Sequence, residues 1–159
     1  MRIRLGKIQD WPFIDRLSKE AMADSIASWR GQPFKETLRY REKLLKEFRR
    51  WVQRTGAKIL MAESGKEGEA FSIGYLVLYL KAEDELTGVR QGWIMDIGVL
   101  PVWRGKGVGT ALIQEAERCC RDAGLSYLGL TVTSSNQRAL NLYQSLNFME
   151  ERKMMVKVL

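Results

Sequence analysis

The sequence predicts an α/β fold, a mixed and mostly antiparallel sheet with one local parallel crossover, flanked by helices. Three observations carry this. Apolar residues recur at helical spacing through the first third of the chain. After Gly56 the period changes to that of strands joined by polar turns. Beyond Leu100 the order becomes helix, strand, helix, which returns a strand parallel to an earlier one. With 159 residues, 45% of them hydrophobic and 28% charged, the chain suits one hydrophobic core. It shows no linker, repeat or low-complexity tract, so one domain over 1–159 is expected.

Residues 2–8 begin by alternating charged and apolar side chains, as a short strand does. A helix is expected from Gln9 to about Ala27, with Asp10-Trp11-Pro12 supplying a cap and an early proline. Gly31-Gln32-Pro33 breaks that pattern. A second helix runs from Phe34 to about Arg54, where Phe34, Leu38, Leu45, Phe48 and Val52 form a stripe that Leu44 and Trp51 widen. Strands follow at 58–62 and 71–80, joined by the turn-rich Ser64 to Gly68, and another from about Gly92 to Leu100. Pro101 ends it. Val108, Ala111, Leu112, Ala116, Cys119, Cys120 and Ala123 then mark one face of a long helix that Gly124 stops. Leu125 to Val132 reads as a strand, Ser135 to about Leu146 as a helix, and 148–158 as one or two closing strands.

Composition excludes several chemistries. The sequence has no histidine, which removes Ser-His and Cys-His pairs, most metal-ligand sets and an imidazole base. The two cysteines are adjacent, an arrangement that suits neither an internal disulfide nor a cysteine zinc site. No apolar run approaches the ~20 residues of a membrane span, and the first residues lack the apolar stretch of a secretion signal. A cytoplasmic location without a metal is the default expectation. The formal net charge of +7 favours polyanions of any kind, nucleic acid and nucleotide phosphates alike.

The most informative segment runs from Val99 to Thr110 and joins a strand to a helix. A helix N-terminus leaves backbone N–H groups unpartnered and carries roughly half a positive charge. Gly105, Gly107 and Gly109 would permit positive φ and close approach of an anion, and Arg104 and Lys106 add charge at the rim. The Walker pattern fails because Thr110 follows Gly109 directly. The dinucleotide fingerprint fails because its third glycine would fall on Leu112 or Thr110. What remains is Arg104-x-x-Gly107-x-Gly109. A glycine-rich turn with no ligand is the plain alternative.

That segment resembles the Gln/Arg-x-x-Gly-x-Gly/Ala motif of the GNAT N-acetyltransferases. A second stretch is similar to the same family. After Leu128-Gly129-Leu130-Thr131-Val132, the residues Asn136, Ala139, Leu142, Tyr143 and Phe148 fall in step with its Asn-x-x-Ala-x-x-Leu-Tyr-x-x-x-Gly-Phe pattern. Asn147 stands where the family has glycine, a change Asn tolerates because it accepts left-handed geometry better than most residues. The resemblance spans roughly residues 72 to 150.

It implies a GNAT-like fold, acetyl-CoA as co-substrate, and transfer of the acetyl group to a primary amine by direct attack. Gly105 to Thr110, including Lys106 and Val108, would hold the pyrophosphate with Arg104. Ile97, Gly98 and Val99 would lend backbone groups to the pantetheine arm, between strands that splay near Val99 and Val132. Asn136 would meet the cofactor and Tyr143 would protonate the departing sulfur. A phenol of pKa about 10 is protonated at neutral pH and can do so. Equally, Tyr143 could be a buried aromatic in the Ala139-Leu142-Leu146 stripe.

A lysine-like amine must lose its proton first, at about 4–5 kcal/mol at pH 7, against about 1 kcal/mol for an α-amine. Some relatives use a glutamate where this chain has Thr131, which cannot serve. Asp96 is the only acid on the strand core. Removing the proton through water, orienting the amine and simply facing solvent are all open to it. A non-catalytic acyl-CoA sensor or a basic nucleic-acid-binding module on the same scaffold are the rival readings, and a homodimer is left open.

Other features are discounted. Arg39, Arg41, Lys43, Lys46, Arg49, Arg50 and Arg54 are mixed with Glu36, Glu42 and Glu47, which suits a solvated helix face better than a nucleic-acid contact. Trp29, Trp51 and Trp103 suit core packing better than an acceptor groove. Cys119 and Cys120 belong to an apolar stripe and not to a covalent acetyl-enzyme route.

Overall fold

The computed structural model describes residues 1–66 and 68–159, the side chains of residues 23, 24 and 28 excepted. Five strands form one sheet, β1 (Arg2–Leu5), β2 (Lys58–Ser64), β3 (Phe71–Glu83), β4 (Arg90–Val99) and β5 (Leu128–Gly129), in that spatial order. The first three junctions are antiparallel and β4 with β5 is parallel. The helices are α1 (Trp11–Glu20), α2 (Phe34–Thr55), α3 (Val108–Asp122) and α4 (Gln137–Ser145). This is the mixed α/β architecture expected from the sequence. The turn expected over Ser64 to Gly68 includes Glu67, which lies outside the described residues.

Strand alternation divides the core into two layers. Leu60, Leu76, Leu78 and Ile94 pack with Leu112, Ile113 and Ala116 of α3 on one face. Met61, Tyr75 and Val77 pack with Trp11, Ile14, Leu17 of α1 and Val52 of α2 on the other. Two glycines admit the helices. A side chain at Gly92 would collide with Cys120 of α3, and a Cβ on Gly98 would stand 3.1 Å from Leu17 of α1 and 2.7 Å from the Tyr75 ring.

One irregularity positions the site. Val77 pairs Asp96 and Leu78 pairs Ile94, so Met95 is an extra residue on β4. Such a bulge bends the strand and breaks its alternation. Ile94 faces α3, while Asp96, only two residues on, faces α1 and hydrogen-bonds Ser18 and Tyr75. In an unbroken strand the two would share a face.

The structure corrects several expected elements. The first helix is shorter, with one 3-10 turn at Ile8–Asp10 before it and another at Ala21–Ser25 after it. On α2 only Leu45 and Val52 are buried, and Phe34 at its start is exposed. The strand expected over Leu125 to Val132 shrinks to Leu128 and Gly129, because only Gly92 and Trp93 pair with it before the chains part. Among the described residues no strand forms after Gly129. Met149, Met154 and Met155 are exposed. No helix among the described residues is long and apolar enough to cross a membrane.

The edge strand is fastened by charge. Glu63, buried on β2, accepts from Arg2 at 2.8 Å and Arg4 at 2.6 Å, and Arg4 forks onto both Asp10 oxygens at 2.8 Å. The bonds from Arg2 and then Arg4 hold the Glu63 carboxyl below its usual range. A carboxyl depressed on folding stabilises the fold above about pH 4.3 and loses that contribution as pH falls through its folded value. Glu63→Gln is expected to cost about 1–3 kcal/mol at pH 7, the span for bonds to charged groups. Denaturant titrations at several pH values check this, and the gap to the native protein should begin to narrow below about pH 4.3 and close only once folded Glu63 takes up its proton.

Candidate active site

Beyond Trp93 the β4 backbone keeps its β3 partner on one edge but has lost β5 on the other. The gap opens into a cleft of about 820 Å³, lined by Ile94 to Val99 on one side and Leu130 to Thr133 on the other. The start of α3, the α4 residues Ala139, Leu142 and Tyr143, and Thr37, Tyr40 and Arg41 of α2 complete its walls. The expected splay is therefore present, and it begins at Ile94, five residues before Val99.

At the α3 end, Gly105 and Gly107 take left-handed geometry, with φ of 72° and 78°, and a Cβ at either would meet nothing within 4 Å. They turn the chain so that the amides of Val108, Gly109 and Thr110 open the helix, the first intrahelical bond there running from Ala111 N to Gly107 O at 3.0 Å. Those free donors, with the helix dipole behind them, can hold an anionic group. Gly109 departs from expectation. Its φ is not positive, and its bare Cα instead lets Leu142 of α4 approach, where a Cβ would stand 3.0 Å away. Arg104 Nε donates to Val99 O at 3.2 Å and closes the end of β4. Lys106 does not line the cleft, and its ammonium lies 5.1 Å over the Trp103 ring.

Asn136 caps α4, its side chain accepting from Ala139 N at 3.2 Å, which leaves its amide NH2 for another partner. Tyr143 is 8% exposed, against Phe148. Burial first, and the Asp96 charge second, push its pKa up, so the phenol holds its proton throughout the neutral range. Asn147 has φ 63°, the left-handed geometry that explains its place in the motif.

Asp96 Oδ2 accepts from Ser18 Oγ at 2.8 Å, Tyr75 Oη at 2.9 Å and Arg41 Nη2 at 3.3 Å. Tyr75 is fully buried, and burial followed by the Asp96 charge raises its pKa well above the ordinary phenol value. Sequence reasoning missed Ser18 and Tyr75, and it discounted Arg41 as part of a solvated helix face, whereas Arg41 lines the cleft and bonds Asp96. Ser18 left a trace, a polar residue within the buried face of α1 beside Leu17. The remaining lysines and arginines of α2 are mostly exposed, and Arg49 stacks over Trp11 at 5.6 Å. Of the three tryptophans weighed, Trp103 lines the cleft, Trp51 packs on Phe48 and Tyr79, and Trp29 is exposed. Cys119 and Cys120 are buried and absent from the cleft, and burial pushes the Cys120 thiol up to about 11.

Residues 20–148 match the family model described as the acetyltransferase (GNAT) family. The chain belongs to the GNAT acetyltransferase family. The fold agrees. A candidate acetyl transferase from Pyrococcus furiosus superposes with TM-score 0.80 at 22% identity, 99% of each chain being covered. The ribosomal-protein-alanine N-acetyltransferase of Brucella melitensis superposes with TM-score 0.67 at 21% identity over 100% of each chain. By sequence, the chain is 28% identical over 138 residues to a mycothiol acetyltransferase of Nocardiopsis dassonvillei, covering 86% of this chain and 41% of that one. It is 34% identical over 90 residues to the mouse thialysine N-epsilon-acetyltransferase, covering 57% of this chain and 51% of that one. The chain thus spans about half or less of the length of these two sequence relatives.

Within this GNAT cleft the left-handed turn is open to a simple check. Gly107→Ala forces a Cβ into positive φ, at a cost of about 1–2 kcal/mol. Chemical denaturation should show that loss, and Gly107→Asn should recover part of it.

Proposed function

We propose that this GNAT chain transfers an acetyl group from acetyl-CoA to a primary amine by direct attack, with Tyr143 as general acid. The observation that carries this is the placing of a buried, protonated phenol in the same cleft as an amide-lined helix start and an unpaired strand edge. Acetyl-CoA would bring the acetyl group as a thioester and leave as the thiol. Its pyrophosphate suits the amides of Val108, Gly109 and Thr110, with Gly105, Gly107 and Arg104 at the turn. On the open edge of β4, the backbone of Ile97 and the N–H of Val99 can pair with the amide-bearing arm as a strand would, Val99 O already accepting from Arg104, and the Asn136 NH2 adds a donor.

Tyr143 holds the proton that the departing sulfur needs. Burial and, after it, the neighbouring Asp96 charge keep the phenol from ionising at rest, so its proton moves only as negative charge gathers on the sulfur. Asp96 itself has three donors on Oδ2 and, among the described residues, none on Oδ1. That oxygen can accept from an amine and orient it. As an immobilised anion already bonded three times, Asp96 suits positioning better than proton removal.

Tyr143→Phe should lower kcat by about 10²–10⁴-fold, the span of general acids, and leave acetyl-CoA binding nearly intact. Thiol release across an amine panel, with calorimetry of acetyl-CoA binding, measures both. Unchanged turnover would remove Tyr143 from the mechanism. Tight binding with no amine acetylated would make the chain an acyl-CoA sensor.

A further inference from the structure

The acceptor end of the cleft carries a pair of opposite charges with free valences on both members. Arg41, on α2, directs Nη2 to Ser18 Oγ at 2.5 Å and to Asp96 Oδ2 at 3.3 Å. Its Nε is buried without a partner, and among the described residues no bond is made by Nη1. Its side chain remains 31% exposed, and that of Asp96 21% exposed, both onto the cleft. A cation with donors to offer thus stands within one ion-pair distance of an anion with a free oxygen.

The ligand complementary to such a pair is a zwitterion. An acceptor with an amine alone would place a second positive charge beside Arg41 in a partly desolvated cleft, where uncompensated charge is costly. An acceptor with an adjacent carboxylate satisfies both groups and, arriving as the zwitterion, adds no net charge to the ion pair. The residue type agrees, because a guanidinium can hold Ser18 and Asp96 through Nη2 and still turn Nη1 to a carboxylate, whereas a lysine would offer a single point charge. Arg41 also stands on the α2 wall, and the α3 turn with its anion-binding amides lies on another element, so the two positive features address different parts of the bound pair of substrates.

We propose that the acceptor is an amino-acid-like amine, its reacting nitrogen beside an anionic group, with Asp96 Oδ1 receiving the nitrogen and Arg41 the anion. This rests on the acetyl-transfer reading above. Arg41 is then a specificity-determining residue, since an amine without the anion meets a repulsive cation.

The test compares L-amino acids with their amides, which differ at the carboxylate alone, by kcat/KM expressed per free amine. The native protein should prefer the acids by tenfold or more. Arg41→Met should erase most of that preference through KM, and Arg41→Lys should keep a part. If both variants fail to fold, as judged by thermal denaturation, the native preference still decides. A native protein that uses the amides as well as the acids overturns the proposal, as does a folded Arg41→Met with an undiminished preference. Acetylation of amides but not acids leaves acetyl transfer standing and removes only this inference. A protein that binds acetyl-CoA and acetylates neither set, yet acetylates other amines of the panel, loses this inference alone, and one that acetylates no amine at all loses both readings.

Discussion

The site depends on where β4 loses its second neighbour. Parallel pairing with β5 lasts for Gly92 and Trp93 only, and the bulge at Met95 bends the strand immediately afterwards. Backbone N–H and C=O groups without a partner are costly inside a protein. A strand that leaves one edge unpaired for six residues therefore calls for water or a ligand along it. The cleft, the exposed edge at Ile97 to Val99 and the aim of Asp96 all follow from this local failure of pairing. The surrounding sheet is otherwise well paired and can hold the opening rigidly.

Burial then sets the chemistry. Tyr75 and Tyr143 are both buried phenols near Asp96, and both are pushed toward the protonated form by desolvation and by that charge. Their bonding differs. Tyr75 donates to Asp96 and helps fix it from beneath, together with Ser18 of α1. Tyr143, on α4, faces the cleft with its proton still to give. One carboxylate thus ties α1, α2, β3 and β4 together at the point where the acceptor would enter.

Much of this was legible in the sequence, and the reasons are local. The α3 turn was readable because left-handed glycines and a strand-to-helix junction leave their mark in a few consecutive residues, and Gly105 and Gly107 behave as expected. Asn136 and Tyr143 were readable because seven residues of helix place them on one side. Gly109 was misread, since its purpose lies in Leu142, more than thirty residues away. The network around Asp96 was invisible for the same reason. Its donors come from three elements, and the bulge that aims Asp96 shows only in the β3–β4 register. The closing strands expected over 148–158 did not form although β5 keeps an open outer edge, because the local run of apolar residues does not report which long-range pairing is made.

Amide hydrogen exchange with and without acetyl-CoA probes the unpaired edge directly. Saturating acetyl-CoA should slow exchange in the segments containing Ile97 to Val99 and Val108 to Thr110, and leave β1 and β2 unchanged. Binding without protection of those two segments, or no binding at millimolar acetyl-CoA, would contradict the account.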